Sequence, residues 1–166
     1  MSEYNKIVEA SARFKEGFKL GHLPLPPGRK FAVVACMDAR LNPAAVMGLE
    51  IGDAHVIRNA GGLITDDALR SLIISYKLLG TQEFFIVEHT DCGMLTFTND
   101  VIKEKLKADA GKDATHIDFP PFSDPKANLK KQAERLRDCE LIPGGIPVHG
   151  FLYHVETGEL EHVVSV

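Results

Sequence analysis

Apolar residues fall into two kinds of run along this chain. Short, nearly continuous runs occur at Phe31–Ala35, Ala54–Ile57 and Phe84–Val87, and again at Val148–Tyr153 and His162–Val166. Runs of this length, rich in Val, Ile and Phe, predict buried strands. The last two are joined by a turn at Thr157-Gly158. Between them the spacing changes to three and four. From Ser2 to Phe18, the residues Ile7, Ser11, Phe14 and Phe18 line one face with Val8, and Lys6, Glu9, Arg13 and Lys15 the other, which predicts an amphipathic helix. Leu23-Pro24-Leu25-Pro26-Pro27-Gly28 then reads as an extended arm.

Helix punctuation marks the remaining elements. Asn42-Pro43 opens a short helix ending near Leu49, with proline at the first helical position. Thr65 caps a helix that ends at Gly80, and Asp66 and Asp67 suit its positive end. Leu69, Leu72, Ile73, Tyr76 and Leu79 form its apolar stripe, widened by Ile74 and Leu78. So wide a stripe predicts a deeply buried helix and, in a small domain, a subunit interface. A further helix runs from Thr98 to Ala110 and stops at Gly111. Residues 112–123 read as loop. Asp124-Pro125 opens the last helix, with Leu129, Ala133 and Leu136 inward.

Strands and helices thus alternate through the first 140 residues. That pattern predicts an α/β fold: a mostly parallel β-sheet with helices on both faces, an antiparallel edge strand near the C-terminus and an N-terminal helical arm over residues 1–28. The 166 residues fit one domain, and a chain this long buries roughly 70% of its unfolded surface without staples.

Composition narrows the function. A formal charge of -4 argues against nucleic-acid or anionic-membrane partners. No run approaches the roughly 18 apolar residues of a membrane span. Met1–Lys6 has no basic head leading to an apolar core, so no secretory signal is expected. Three cysteines are poor material for a disulfide framework and suit a reducing compartment, so a cytoplasmic location is expected.

The chemistry concentrates where two strands end. Cys36-Met37-Asp38-Ala39-Arg40 follows the first strand, and His89-Thr90-Asp91-Cys92-Gly93 follows the third. Open α/β sheets bind ligands at the carboxyl ends of their strands. With these strands as parallel neighbours, Cys36, His89 and Cys92 converge, and Asp38 and Arg40 lie beside them. Two thiolates and an imidazole with an open fourth position make a catalytic zinc site. A lone cysteine at a strand end is more often a small buried hydrophobe; the two turns together carry the reading. The remaining histidines (His22, His55, His116, His149, His154 and His162) and Cys139 stand outside any such constellation. The absence of a Cys-x-x-Cys pair argues against a thiol-redox enzyme.

Cys36–Arg40, Arg58-Asn59-Ala60-Gly61-Gly62 and His89–Gly93 resemble the motifs of β-class carbonic anhydrases. In order and spacing the likeness runs from about residue 30 to the end, and the short chain is similar to the small archaeal and mycobacterial subtype. The resemblance implies one Zn²⁺ per subunit, held by Cys36, His89 and Cys92, with Asp38 and Arg40 as the catalytic pair. It implies zinc-dependent hydration of CO₂ to bicarbonate and a proton by metal-bound hydroxide, in a homodimer or homotetramer. Two thiolates cancel the metal's charge, so a nearby base must help manage the proton. Arg40 keeps Asp38 ionised and off the metal; unpaired, Asp38 could swing in and close the site. Arg58 and Asn59 are expected to be structural.

Carbonyl sulfide hydrolases and carbon disulfide hydrolases resemble the family at the same positions. The alternative substrate is therefore COS, giving H₂S and CO₂; a non-catalytic zinc module is the remote alternative. The chain has no tryptophan, and no match to the family's Trp-Arg-Tyr bicarbonate site or to the glutamine that plant-like members place near the substrate. Met37 and Leu41 flank the catalytic pair and suit an apolar gas.

Overall fold

The computed structural model describes residues Met1–Val166. Five strands form one sheet: β1 (Phe31–Cys36), β2 (Ala54–Asn59), β3 (Glu83–His89), β4 (Val148–Tyr153) and β5 (Leu160–Ser165). Their order is β2-β1-β3-β4-β5. The first four are mutually parallel, and β5 pairs antiparallel with β4 at the edge. The expected α/β architecture is therefore present, including the closing hairpin. β1 lies between β2 and β3, and all six of its residues are buried, as its unbroken apolar run requires. β2, at the other edge, has no fully buried residue.

Strand order fixes where the helices go. The chain leaves β1 in one direction for β2 and later returns past β1 to β3. Right-handed crossovers in opposite directions put their helices on opposite faces. Accordingly α2 (Pro43–Val46) lies on one face, while α3 (Asp66–Leu79) and α5 (Pro125–Arg137) lie on the other. The main core forms under α3 and α5, where Ala32, Val34, Phe84 and Ile86 meet Leu72, Leu129, Ala133 and Leu136. The second core, on the α2 face, joins Val33, Ala35 and Val87 to Leu41, Leu63 and Met94. A crevice opens where the chain departs from β1 and β3 to different faces, at their carboxyl ends. α4 (Asn99–Ala110) sits between β3 and α5 in the chain.

The helices start where their signals predict, and α2 stops at Val46, short of the expected Leu49. Ser2, Asn42, Thr65, Thr98 and Asp124 each accept a backbone N–H of the first turn. Gly80 and Gly111 take the left-handed conformation just past α3 and α4.

Burial of α3 departs from expectation. Only Ala68, Leu72 and Ser75 are fully buried among its 14 residues, while Leu78 is 73% exposed and Ile74 41%. One helix laid on a sheet buries one stripe; the rest of its apolar surface needs another partner. The same holds more strongly for α1 (Glu3–Gly17), which buries none of its residues and leaves Tyr4, Ile7 and Phe14 more than half exposed. No helix is long and apolar enough to cross a membrane.

Candidate metal centre

β1 and β3 end side by side, with Ala35 opposite Val87. Cys36, the last residue of β1, therefore lies beside the end of β3, whose last residue is His89. Cys92 follows one turn later, at the start of a short 3-10 turn, Gly93–Leu95. All three side chains are buried. Cys36 Sγ lies 4.0 Å from Cys92 Sγ and 3.2 Å from His89 Nε2, and the three donor atoms fall within 4.8 Å of one another. Tetrahedral zinc, with bonds of about 2.3 Å to sulfur and about 2.0 Å to nitrogen, spaces its sulfurs about 3.8 Å apart and sulfur from nitrogen about 3.5 Å. The donors present fit that ion in type, number and spacing. His89 Nδ1–H donates to the Thr90 carbonyl at 2.7 Å, which leaves the Nε2 lone pair facing the thiols.

Electrostatics point the same way. Two thiols this close in a buried site cannot both ionise without a cation between them. The Cys92 thiol, with help from His89, pulls Cys36 well below the usual thiol range, whereas the hydrogen bond to Cys36 and burial push Cys92 up. A divalent cation would release the second proton and neutralise both sulfurs.

Asp38 and Arg40 flank the donors. Arg40 Nε and Nη2 grip the two carboxylate oxygens of Asp38 at 3.0 and 2.9 Å, and the Arg40 backbone N–H adds a bond of 2.8 Å. The Arg40 guanidinium holds the Asp38 carboxyl far below the usual carboxylate range. Asp38 Oδ2 stands 3.7 Å from His89 Nε2, so the carboxylate faces the donor cluster. Arg40 also donates to Asp91 Oδ2 at 2.7 Å and to the Asp91 carbonyl at 3.0 Å. Asp91 reaches this place through a left-handed backbone, φ +52°, that few side chains adopt cheaply. No sequence signal marks Asp91, although it lies inside the His-x-x-Cys turn.

Arg58 and Asn59 hold the surrounding backbone. Arg58 donates to the carbonyls of Cys36, Asp38 and Leu41 at 2.7–3.1 Å, which fixes the Cys36–Leu41 turn. Asn59 bonds both the N–H and the carbonyl of Leu63. Gly62, at φ +68°, packs so tightly that an added Cβ would lie 2.7 Å from the Val87 carbonyl oxygen and 2.9 Å from the Cys36 nitrogen. Only glycine lets this turn wedge between the two strand ends. Above the donors opens a cavity of about 340 Å³, walled by Met37, Ala60, Gly61, Met94, Thr96 and Phe97. No other histidine and no other cysteine lines it. His55 pairs with Ser75, His149 with Glu83 and Ser165, and His154 with Glu161. Cys139 packs at the edge of the main core.

Glu88 is likewise unmarked in the sequence. It precedes His89, so its side chain points to the opposite face of the sheet, into the main core, where it is fully buried. Burial pushes its carboxyl up to about 9.

Comparison with known proteins agrees with this geometry. The family profile described as carbonic anhydrase matches residues 31–160. Beta-carbonic anhydrase 1 of Mycobacterium tuberculosis strain H37Rv is 43% identical over 152 residues, covering 90% of this chain and 91% of the relative. A carbon disulfide hydrolase of Acidithiobacillus thiooxidans is 37% identical over 156 residues, covering 82% and 78%. The crystal structure of carbonic anhydrase from Streptococcus mutans superposes with a TM-score of 0.92 at 43% identity, covering 99% of each chain.

The Glu88 environment makes stability depend on pH. Its folded-state pKa lies above the unfolded value, so its favourable contribution is complete below about pH 4.5 and is lost as pH rises toward 9. The amide variant E88Q has no such proton. Urea unfolding of metal-loaded protein is expected to show E88Q gaining on the parent between pH 6 and pH 9. Parallel pH dependence of the two proteins would contradict this assignment.

Proposed function

The chain belongs to the β-carbonic anhydrase family, and from that we propose that it is a zinc enzyme hydrating CO₂ to bicarbonate and a proton, with Cys36, His89 and Cys92 as ligands and Asp38 and Arg40 as the catalytic pair. The observation that carries the reading is one buried cluster of two thiols and an imidazole, faced by a carboxylate that an arginine fork holds in place. When bound, zinc supplies Lewis acidity at this point, which makes a water nucleophilic near neutral pH.

The chain's own residues do the rest. Asp38 Oδ2 accepts a hydrogen bond from the attacking water and turns its lone pair toward the substrate. Doubly bonded to Arg40 and firmly ionised, Asp38 orients the proton rather than storing it. Arg40 also keeps that carboxylate from rotating onto the donor atoms, and its second hold on Asp91 keeps the fork itself from turning. Met37, Ala60, Met94 and Phe97 give an uncharged linear molecule an apolar wall beside the donors.

A second reading has one specific support. A protein named carbon disulfide hydrolase is 37% identical to this chain over most of its length. The same donors and apolar wall would accept a sulfur heterocumulene; COS plus water would give CO₂ and H₂S.

We also propose a homo-oligomer, dimer or tetramer. α1 buries nothing in its own chain, and the exposed apolar residues of α1 and α3 amount to surface that a second copy would cover. The three free cysteines suit a reducing cytoplasm.

Two measurements test these proposals. Measured side by side on a zinc-quantified preparation, kcat/KM is expected to favour CO₂ over COS. D38A is expected to retain one zinc per chain and lose roughly 100-fold or more in kcat/KM for CO₂. Strong H₂S release from COS with feeble CO₂ hydration would select the second reading, and full activity in D38A would remove Asp38 from the mechanism. Sedimentation velocity is expected to give at least a dimer, shifting to smaller species when residues 2–20 are deleted. A monomeric full-length chain would refute the oligomer.

A further inference from the structure

On the sheet face opposite the donors, polar side chains form a line through the main apolar core. Glu88 Oε1 accepts a hydrogen bond from Asn128 Nδ2 at 2.7 Å. Asn128 Oδ1 accepts from Gln132 Nε2 at 3.3 Å, and Gln132 Oε1 accepts from the Ile64 backbone N–H at 2.8 Å. Glu88 is fully buried and Gln132 nearly so, among Ile64, Leu72, Leu129 and Leu152. Glu88 Oε2 has no hydrogen-bond partner in the protein.

Stability does not account for this line. Burying a carboxyl with one oxygen unpaired is destabilising, and replacing buried polar groups by apolar ones of similar shape is often neutral or stabilising. What the line does is geometric. It starts one residue before His89, crosses to α5 and ends on Ile64, at the close of the Ala60–Ile64 turn. That turn supplies Ala60 and Gly61 to the cavity wall and wedges Gly62 between the ends of β1 and β3. Asn59 holds the turn at Leu63, and Gln132 holds it at the next residue from the opposite face. No other side chain of α5 bonds to the turn.

We propose that Glu88, Asn128 and Gln132 are positioning residues, a buried brace that sets the spacing between the His89 strand end and the Gly61-Gly62 turn, and through it the geometry of the metal ligands. The inference rests on Cys36, His89 and Cys92 binding the metal. The brace needs an acceptor at residue 88, which a glutamine oxygen supplies and a methionine does not.

The test uses the full zinc-loaded chain with the variants E88M, E88Q and N128L. Zinc release to a chelator and the visible absorption of Co²⁺-substituted protein read the ligand geometry; thermal melting reads stability. E88M and N128L are expected to release zinc about 10-fold faster than the parent and to shift the cobalt bands, without a matching loss in melting temperature. E88Q is expected to stay within about threefold of the parent, because it keeps the acceptor for Asn128. Parent-like release and cobalt spectra in E88M and N128L would overturn the proposal. So would release rates that only track melting temperature, or an E88Q as impaired as E88M. A parent chain that holds less than one zinc would overturn this inference together with the metal site on which it rests.

Discussion

Two thiols 4.0 Å apart, buried, with an imidazole against one of them, form an arrangement that a protein interior tolerates poorly without a cation. Ionise both, and like charges meet in a medium of low dielectric. A divalent cation among the three donors would remove that repulsion. Most of the structure around the site serves to hold this arrangement in register. β1 and β3 are parallel neighbours, so their ends coincide. Gly62 fits between those ends because it has no side chain. Arg58 secures the turn after Cys36 through three carbonyls.

The carboxylate beside the donors is held by the same logic. Asp38 lies close enough to the donors to act on a water there, and close enough to be captured as a ligand itself. Arg40 resolves that conflict with two parallel hydrogen bonds, a planar match that a lysine could not reproduce. Asp91 then occupies the remaining face of the guanidinium, so Arg40 is held between two carboxylates on two different turns. The pair is coupled to the backbone of the His-x-x-Cys turn as well as to its own.

The sheet and the donor set were legible in the sequence because both rest on local signals. An unbroken apolar run announces a central parallel strand, and a Cys or His just past its end falls at the carboxyl edge by necessity. Caps at Thr65, Thr98 and Asp124 mark their helices because N-capping is a short-range bond. Three features were not legible. The apolar stripe of α3 gives the amount of surface to be buried but not how much of it packs within the chain, and Leu78 and Ile74 remain open in the single chain. Asp91 acts through a left-handed backbone and a contact with Arg40, 51 residues away in sequence. Asn128 and Gln132 carry no sequence signal, yet they face Glu88 and Ile64 across distances of 40 and 68 residues. Pairings at such separations leave no periodic trace.

That Cys36, His89 and Cys92 together hold one zinc ion can be read by X-ray absorption at the zinc edge of the purified protein. The expected spectrum has one zinc per chain with two sulfurs at about 2.3 Å, one imidazole nitrogen near 2.0 Å and a single further oxygen. A zinc shell with one sulfur or none, or with no imidazole, would contradict it.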